Sequence, residues 1–332
     1  MKRIFTFLAA AAALAACSKE GQEPIAPNDG EIRIYTGVDA PGTKAVVDAA
    51  TGMTEATFVM KEATAAPAAD FSGGTVYKGS VAATNGKVTF AGSAPTYNHN
   101  DDNAYFVAYY PGNALNGNAV NWTVDGKTDI LVTDAIWDAG KYSAPLTGAT
   151  GTKLNFNHQL SQVEVVCKAE AGAAHSVVKA AWGKIRKIEF LNAPATVTYS
   201  LAGAPAVSAA GSADFTLLKN YNDSNNAFEA IDIPENTNTT ANAMAMLYPV
   251  APGAGESFKL KVTTAGPAGG SAIAVEVPVS LGGNKTAMGK GQTHTVTLTF
   301  EADALNIAVS DTTIDNWGDG ADGDSGVVKP GN

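Results

Sequence analysis

Apolar and polar residues alternate one for one along most of the chain, the period of a strand with one buried face, and the 3.6-residue spacing of helices is scarce. The clearest early run is 32–38, where Ile32, Ile34, Thr36 and Val38 fall on one side and Arg33 and Tyr35 on the other. Further strands are predicted at 56–61, 75–81, 87–90, 104–110, 120–124, 130–133 and 154–156. The series continues at 163–168, 184–191, 196–201, 228–233, 244–250, 258–263, 272–279, 293–300 and 305–309. Turn signals separate them: Asn85-Gly86, Asn116-Gly117, Asp125-Gly126 and Gly282-Gly283-Asn284. The pattern predicts an all-β chain.

So many short strands exceed one sandwich, and 332 residues suffice for two domains. The softest stretch between them runs from Glu170 through Ala171, Gly172, Ala173, Ala174 and His175 to Ser176. The expected division is 31–171 for the amino-terminal sandwich and 172–317 for the carboxyl-terminal one, with an acidic tail over 318–332. No strict repeat of 20 to 50 residues marks a propeller or solenoid.

The first residues depart from alternation. Lys2 and Arg3 precede an apolar stretch over 4–13, and Leu14-Ala15-Ala16-Cys17 then places small residues before a cysteine. This reads as a lipoprotein signal over 1–16, cut between Ala16 and Cys17, with Cys17 acylated by chains such as palmitate. The apolar stretch is short of the roughly 20 residues a spanning helix needs. Each buried methylene contributes about 0.8 kcal/mol, and multiple acyl chains give stable anchoring where one does not. Residues 17–30, rich in charge, Pro and Gly, read as a tether. Lys19 and Glu20 beside the acylated cysteine resemble the signal that sends Bacteroidetes lipoproteins to the outer face of the outer membrane.

Composition narrows the function classes. Hydrophobic residues make up 45% of the chain and charged ones 16%, which fits a folded core with many turns. The formal charge of −10 becomes more negative once Lys2 and Arg3 leave with the signal, and such a surface repels phosphate, so nucleic acid is not an expected partner. With Cys17 committed to lipid, Cys167 has no disulfide partner, and alternation sets it beside Val163 and Val165 on the apolar face.

Chemistry-bearing patterns are sparse. His99, His158, His175 and His294 lack a second ligand at metal spacing, and the nucleophile, phosphate-loop and dinucleotide motifs are absent, so no catalytic residue, metal or cofactor is expected. The run of Asp and Gly over 315–324 fails the spacing of a twelve-residue calcium loop. Tyr105, Phe106, Tyr109, Tyr110, Trp122 and Trp137 offer rings for sugar stacking, but alternation divides them between strand faces and favours core packing. Phe156 and His158 share a face, which puts this histidine at the edge of the core where a strand begins. Asp311-Thr312-Thr313 resembles a three-residue O-glycosylation site.

The lipobox, the strand EIRIYTGV followed by Gly42-Thr43-Lys44-Ala45, the segments DILVTDAIWDAGKYSAPLTG and FNHQLSQVEVV, and a last strand before Ile314-Asp315-Asn316-Trp317 together resemble the fimbrillin family. These are lipoprotein pilins and fimbria-associated adhesins of Bacteroidetes. The resemblance implies two transthyretin-like antiparallel β-sandwich domains in series after the signal peptide and tether. It also implies assembly by strand exchange, in which a protease removes the first strand and another fimbrial subunit's strand fills the groove. Ile32, Ile34, Thr36 and Val38 would form the removable plug. The family's cleavage position aligns with Thr43-Lys44-Ala45, where Lys44 stands in place of Arg, so processing before Ala45 and permanent tethering at Cys17 both stay open.

A stalk subunit needs a terminal donor strand, and Val327-Val328-Lys329-Pro330 is short and ends in a residue that cannot donate to a ladder. A tip, anchor or accessory role is therefore expected, unless 305–309 is the donor. The leading expectation is a non-enzymatic surface lipoprotein of fimbriae acting in cell adhesion, with an unknown host or bacterial receptor. The alternatives are a glycan-binding lipoprotein of a nutrient-uptake system and, third, a hydrolase with paired carboxylates.

Overall fold

The computed structural model describes residues 30–39, 52–65, 70–83, 86–133, 135–145, 154–202, 204–219, 228–251, 258–280, 287–303 and 306–316. The signal, Cys17, Lys44, Ala45, Trp317 and the acidic tail lie outside them, as does the side chain of Val38.

The protein is all-β, with one helix among the described residues. Its largest sheet runs in the order Thr36–Asp39, Leu154–His158, Leu131–Val132, Asn103–Tyr110, Met53–Ala63, Thr75–Val81, Val88–Phe90, and Trp137–Asp138 also pairs with Asn103–Tyr110. Three four-stranded sheets follow. One is ordered Ala243–Leu247, Ser161–Ala169, Gln292–Phe300, Ile307–Asn316, and another Ala213–Thr216, Ile185–Ala193, Phe258–Thr264, Ile273–Val279. The last joins Ala206–Ala210 and Thr196–Ser200 to Ala119–Thr123 and Leu115–Asn116.

Asn103–Tyr110 is the exception to alternation, and its place explains why. Residues 104–109 are all buried, the mark of a strand covered on both faces. Ala104, Phe106 and Ala108 pack with Ile32, Ile34, Phe58 and Phe156 in the smaller hydrophobic cluster. Tyr105, Val107 and Tyr109 join the larger cluster with Val59, Trp122 and Tyr199. The strand is thus a wall between two cores.

The larger core is continuous across the stretch expected to divide the sandwiches. Ser161–Ala169, placed by sequence with the amino-terminal half, pairs in parallel with Gln292–Phe300 and antiparallel with Ala243–Leu247. Ala119–Thr123 pairs with Thr196–Ser200 along five positions. Tyr199 reinforces that contact: its hydroxyl donates to the Thr133 carbonyl at 2.6 Å, and its ring lies 6.3 Å from that of Tyr109.

The helix His175–Trp182 begins at the end of the expected linker and runs beyond it. Val178 and Trp182, four residues apart, face inward together, and the Trp182 ring meets Phe300 edge-on at 5.5 Å. Its indole nitrogen donates to the Glu301 carbonyl at 2.8 Å, which satisfies the one polar atom of a fully buried ring. The predicted strand over 228–233 is reduced to a single bridge between Ile231 and Ile185. The last strand is longer than expected and reaches Asn316.

Candidate assembly site at the amino-terminal strand

The first described segment does not sit at a free sheet edge. Residues 36–39 run parallel to Leu154–His158, with Thr36 opposite Leu154 and Val38 opposite Phe156. On the other side the segment is antiparallel to the chain around 86–97 through the bridges Glu31 to Thr96 and Tyr35 to Lys87. The Ile32 amide donates to the Pro95 carbonyl at 2.7 Å and the Thr36 amide to the Gly86 carbonyl at 2.8 Å. The Val88 amide donates to Ile34 and the Tyr97 amide to Gly30, at 3.0 and 2.9 Å. Since Val88–Phe90 and Leu154–His158 stand toward opposite ends of the largest sheet, the segment joins those ends.

Side chains alternate as a plug requires. Ile32 and Ile34 are each 1% exposed and Thr36 3%, while Glu31, Arg33 and Tyr35 are half-buried. The isoleucines share a cluster with Met53, Val81, Val88, Tyr97 and Leu154. Fully burying such side chains contributes about 1.5 to 3 kcal/mol each.

Two features fix where the segment lies. Gly86 has φ of +69°, and a Cβ there would stand 2.0 Å from the Thr36 carbonyl oxygen, so only glycine lets the chains approach so closely. At the other end, by Gly30, Tyr142 is 44% exposed and its ring lies 4.6 Å from His99. Lys141, next to Tyr142, pairs with Asp101 at 2.6 Å and holds its carboxyl down at about 2, together with the Ser143 bond.

The wall beside the segment carries a pair that the sequence did not bring together. His158, at the end of its strand and not the beginning, is buried with its Nδ1 2.6 Å from Asp129 Oδ2. Burial raises the Asp129 pKa, and the adjacent imidazole opposes that rise. The amide of the next residue, Gln159, donates to Ile130 at 2.8 Å, so the two chains are tied beside the pair. Twenty-nine residues separate the partners, and no short-range spacing signals the contact.

Other candidate residues resolve more simply. Cys167 is buried, and burial pushes its thiol up to about 12, which makes it a core residue and not a nucleophile. Tyr105, Phe106, Tyr109 and Trp122 are buried, and Trp137 and Tyr110 half-buried, so these rings pack the core as alternation favoured. His175 bonds to the Ile233 carbonyl at 2.7 Å and His294 lies buried in Gln292–Phe300. Asp311 and Thr313 are exposed on the last strand.

This geometry defines a class: an all-β protein whose first described strand lies between two other segments of the same chain. A protein-family model described as fimbrillin-like matches residues 43–317, and the chain belongs to that family. Solved structures with the same fold include a candidate cell adhesion protein from Bacteroides uniformis, 19% identical, with a TM-score of 0.57 over 87% of this chain and 100% of its own. A second, from Parabacteroides distasonis, is 10% identical with a TM-score of 0.52 over 87% of this chain and 97% of its own. A third, from Bacteroides ovatus, is 16% identical with a TM-score of 0.50 over 86% of this chain and 97% of its own. All three are candidate cell adhesion proteins, and at these identities they show the fold alone. No protein with a curated description matches the chain.

Proposed function

We propose that this protein is a non-enzymatic subunit of surface fimbriae that serves cell adhesion and joins its neighbours by strand exchange. The observation that carries the reading is the double-sided seat of residues 30–39. Withdrawing that segment exposes backbone groups on both 86–97 and 154–157 and removes two buried isoleucines, together about 3 to 6 kcal/mol. Net folding stability is typically only about 5 to 15 kcal/mol, so an emptied seat calls for another strand.

The route to that state runs through Cys17 and the segment around Lys44. Lipid on Cys17 would hold the exported chain at the outer membrane, and cleavage between Lys44 and Ala45 would release lipid, tether and strand together. The family match starts at residue 43, so the strand 30–39 lies wholly before it, as expected for a segment that the mature form sheds. The buried aromatics take away the main support for glycan capture.

Amino-terminal sequencing of protein sheared from the cell surface, with and without a trypsin-like protease, tests this. The expected product begins at Ala45 and sediments with fimbriae. Protein that always begins at Cys17 and never enters that fraction defeats strand exchange.

A further inference from the structure

We propose that the hold on residues 30–39 depends on pH: the buried Asp129–His158 contact keeps the wall strand Leu154–His158 in place best in mild acid, when the pair is electrically neutral. The wall then slackens as the medium turns alkaline. On the strand-exchange reading above, that makes the segment easier to replace, whichever chain supplies the new strand.

The wall is attached where the pair stands. On one side Leu154–His158 runs beside residues 36–39, from Thr36 opposite Leu154 to Asp39 opposite Asn157. On the other it pairs with Leu131–Val132 at two positions, Asn157 with Val132 and His158 with Leu131. The Gln159 amide adds a bond to the Ile130 carbonyl at 2.8 Å, and His158 Nδ1 lies 2.6 Å from Asp129 Oδ2. Leu154, Phe156 and His158 alternate toward the buried side, and the first two share a cluster with Ile32, Ile34 and Leu131. A displacement of His158 therefore moves the strand that residues 36–39 lie against.

Dry surroundings make the charge of the pair decisive, since the His158 and Asp129 side chains are 1% and 0% exposed. A carboxylate with a neutral imidazole carries one negative charge. One further proton makes the pair neutral, and two make it positive. A buried net charge is costly, so the seated pair favours the one-proton form. Burial raises the Asp129 pKa in the same sense, and the adjacent imidazole opposes the rise.

In water a carboxylate titrates near about 4 and an imidazole near about 6.5, so a solvated pair has given up that proton in mild alkali. The seated pair then binds more protons than the loosened one, and its stability falls as the pH rises. Below about 4 a second proton reverses the balance, so the hold is tightest between about 4 and 6.5. The surrounding groups leave this sign unchanged. Tyr110 has its pKa raised by burial and then by Asp129 and Glu55, so it stays neutral here, and Glu55 itself only adds negative charge. Lys290 donates to the Gln159 side-chain oxygen at 2.6 Å. Asp39, on the seated strand, is a further acidic residue in register with the wall.

The test uses the full chain with a specific protease site inserted within 40–45, nicked after folding, with a fluorophore on its amino-terminal fragment. Release of that fragment is expected to be at least about tenfold faster at about pH 8.5 than at about pH 5.5, the equivalent of one pKa unit. In Asp129→Asn, which keeps an acceptor for the imidazole, the difference should vanish or reverse. A measurement without a variant stands beside it: rebinding of a 30–39 peptide at about pH 7, followed by calorimetry in buffers of different ionisation enthalpy, should take up protons. Equal release at both pH values, the same acceleration in Asp129→Asn, or rebinding without proton uptake overturns the pH dependence and leaves strand exchange standing. A fragment retained at every pH defeats strand exchange itself, and the proposal with it.

Discussion

Gly86 and Thr36 meet backbone to backbone: the Thr36 amide donates to the Gly86 carbonyl at 2.8 Å, and the Thr36 carbonyl lies 2.0 Å from where a Gly86 Cβ would stand. Gly86 is also the second residue of an Asn-Gly turn signal. One glycine thus serves both the turn before Val88–Phe90 and the close approach of the amino-terminal strand.

Gly86→Ala should therefore loosen the strand more than it disturbs the rest. A residue with a Cβ at positive φ costs roughly 1 kcal/mol, and the contact with Thr36 adds to that. Hydrogen exchange at the Ile32 and Thr36 amides, both donors across this seam, is expected to quicken while exchange in Gln292–Phe300 holds steady. Equal acceleration in both places would speak against a local role.

Asp129 and His158 tie the wall of the seat from within. Removing one partner of a buried pair costs about 3 to 5 kcal/mol, because the other stays buried. Asp129→Ala is expected to lower stability by about 3 kcal/mol in urea unfolding. A change near zero would mean the pair contributes little.

Cys167 gives a prediction in alkali. Folding raises its pKa from 9.0 to about 12, so the folded state holds this proton more tightly than the unfolded one. Its contribution to stability is complete below 9 and is lost as the pH climbs toward 12. At pH 8 the native protein should leave Cys167 unmodified by a thiol reagent, and unfolding should expose it. Prompt labelling of the native thiol would contradict its burial.

Tyr199→Phe removes the hydroxyl bonded to Thr133 while keeping the ring beside Tyr109. The Thr133 carbonyl is buried, so the expected loss is about 1 to 2 kcal/mol, measured as a shift in the urea midpoint with an unchanged slope.

The buried face of the segment 30–36 was legible because it repeats at period two: Ile32, Ile34 and Thr36 are buried, and their neighbours are half-buried. Cys167 was legible for the same reason. Asn103–Tyr110 announced burial by its near-continuous apolar run, and what lay on each face required the tertiary structure. The helix His175–Trp182 escaped notice because it is two turns long, sits among Gly and Ala, and begins without a side-chain cap. Ala206–Ala210 escaped because its alternation sets alanine and serine against alanine and valine on an exposed strand, a pattern with little apolar contrast. Asp129 and His158 were invisible as a pair, since only the pairing of His158 with Leu131 brings them together.

The exchangeable first strand is the central claim, and a reversible lock tests it most directly. Tyr35 and Lys87 face each other across the antiparallel bridge, so Tyr35→Cys with Lys87→Cys places two thiols in register for a disulfide, while Cys167 stays buried. In cells carrying only this variant, the oxidised protein should be missing from sheared fimbriae and return on reduction. Equal recovery of oxidised and reduced protein in that fraction would contradict strand exchange.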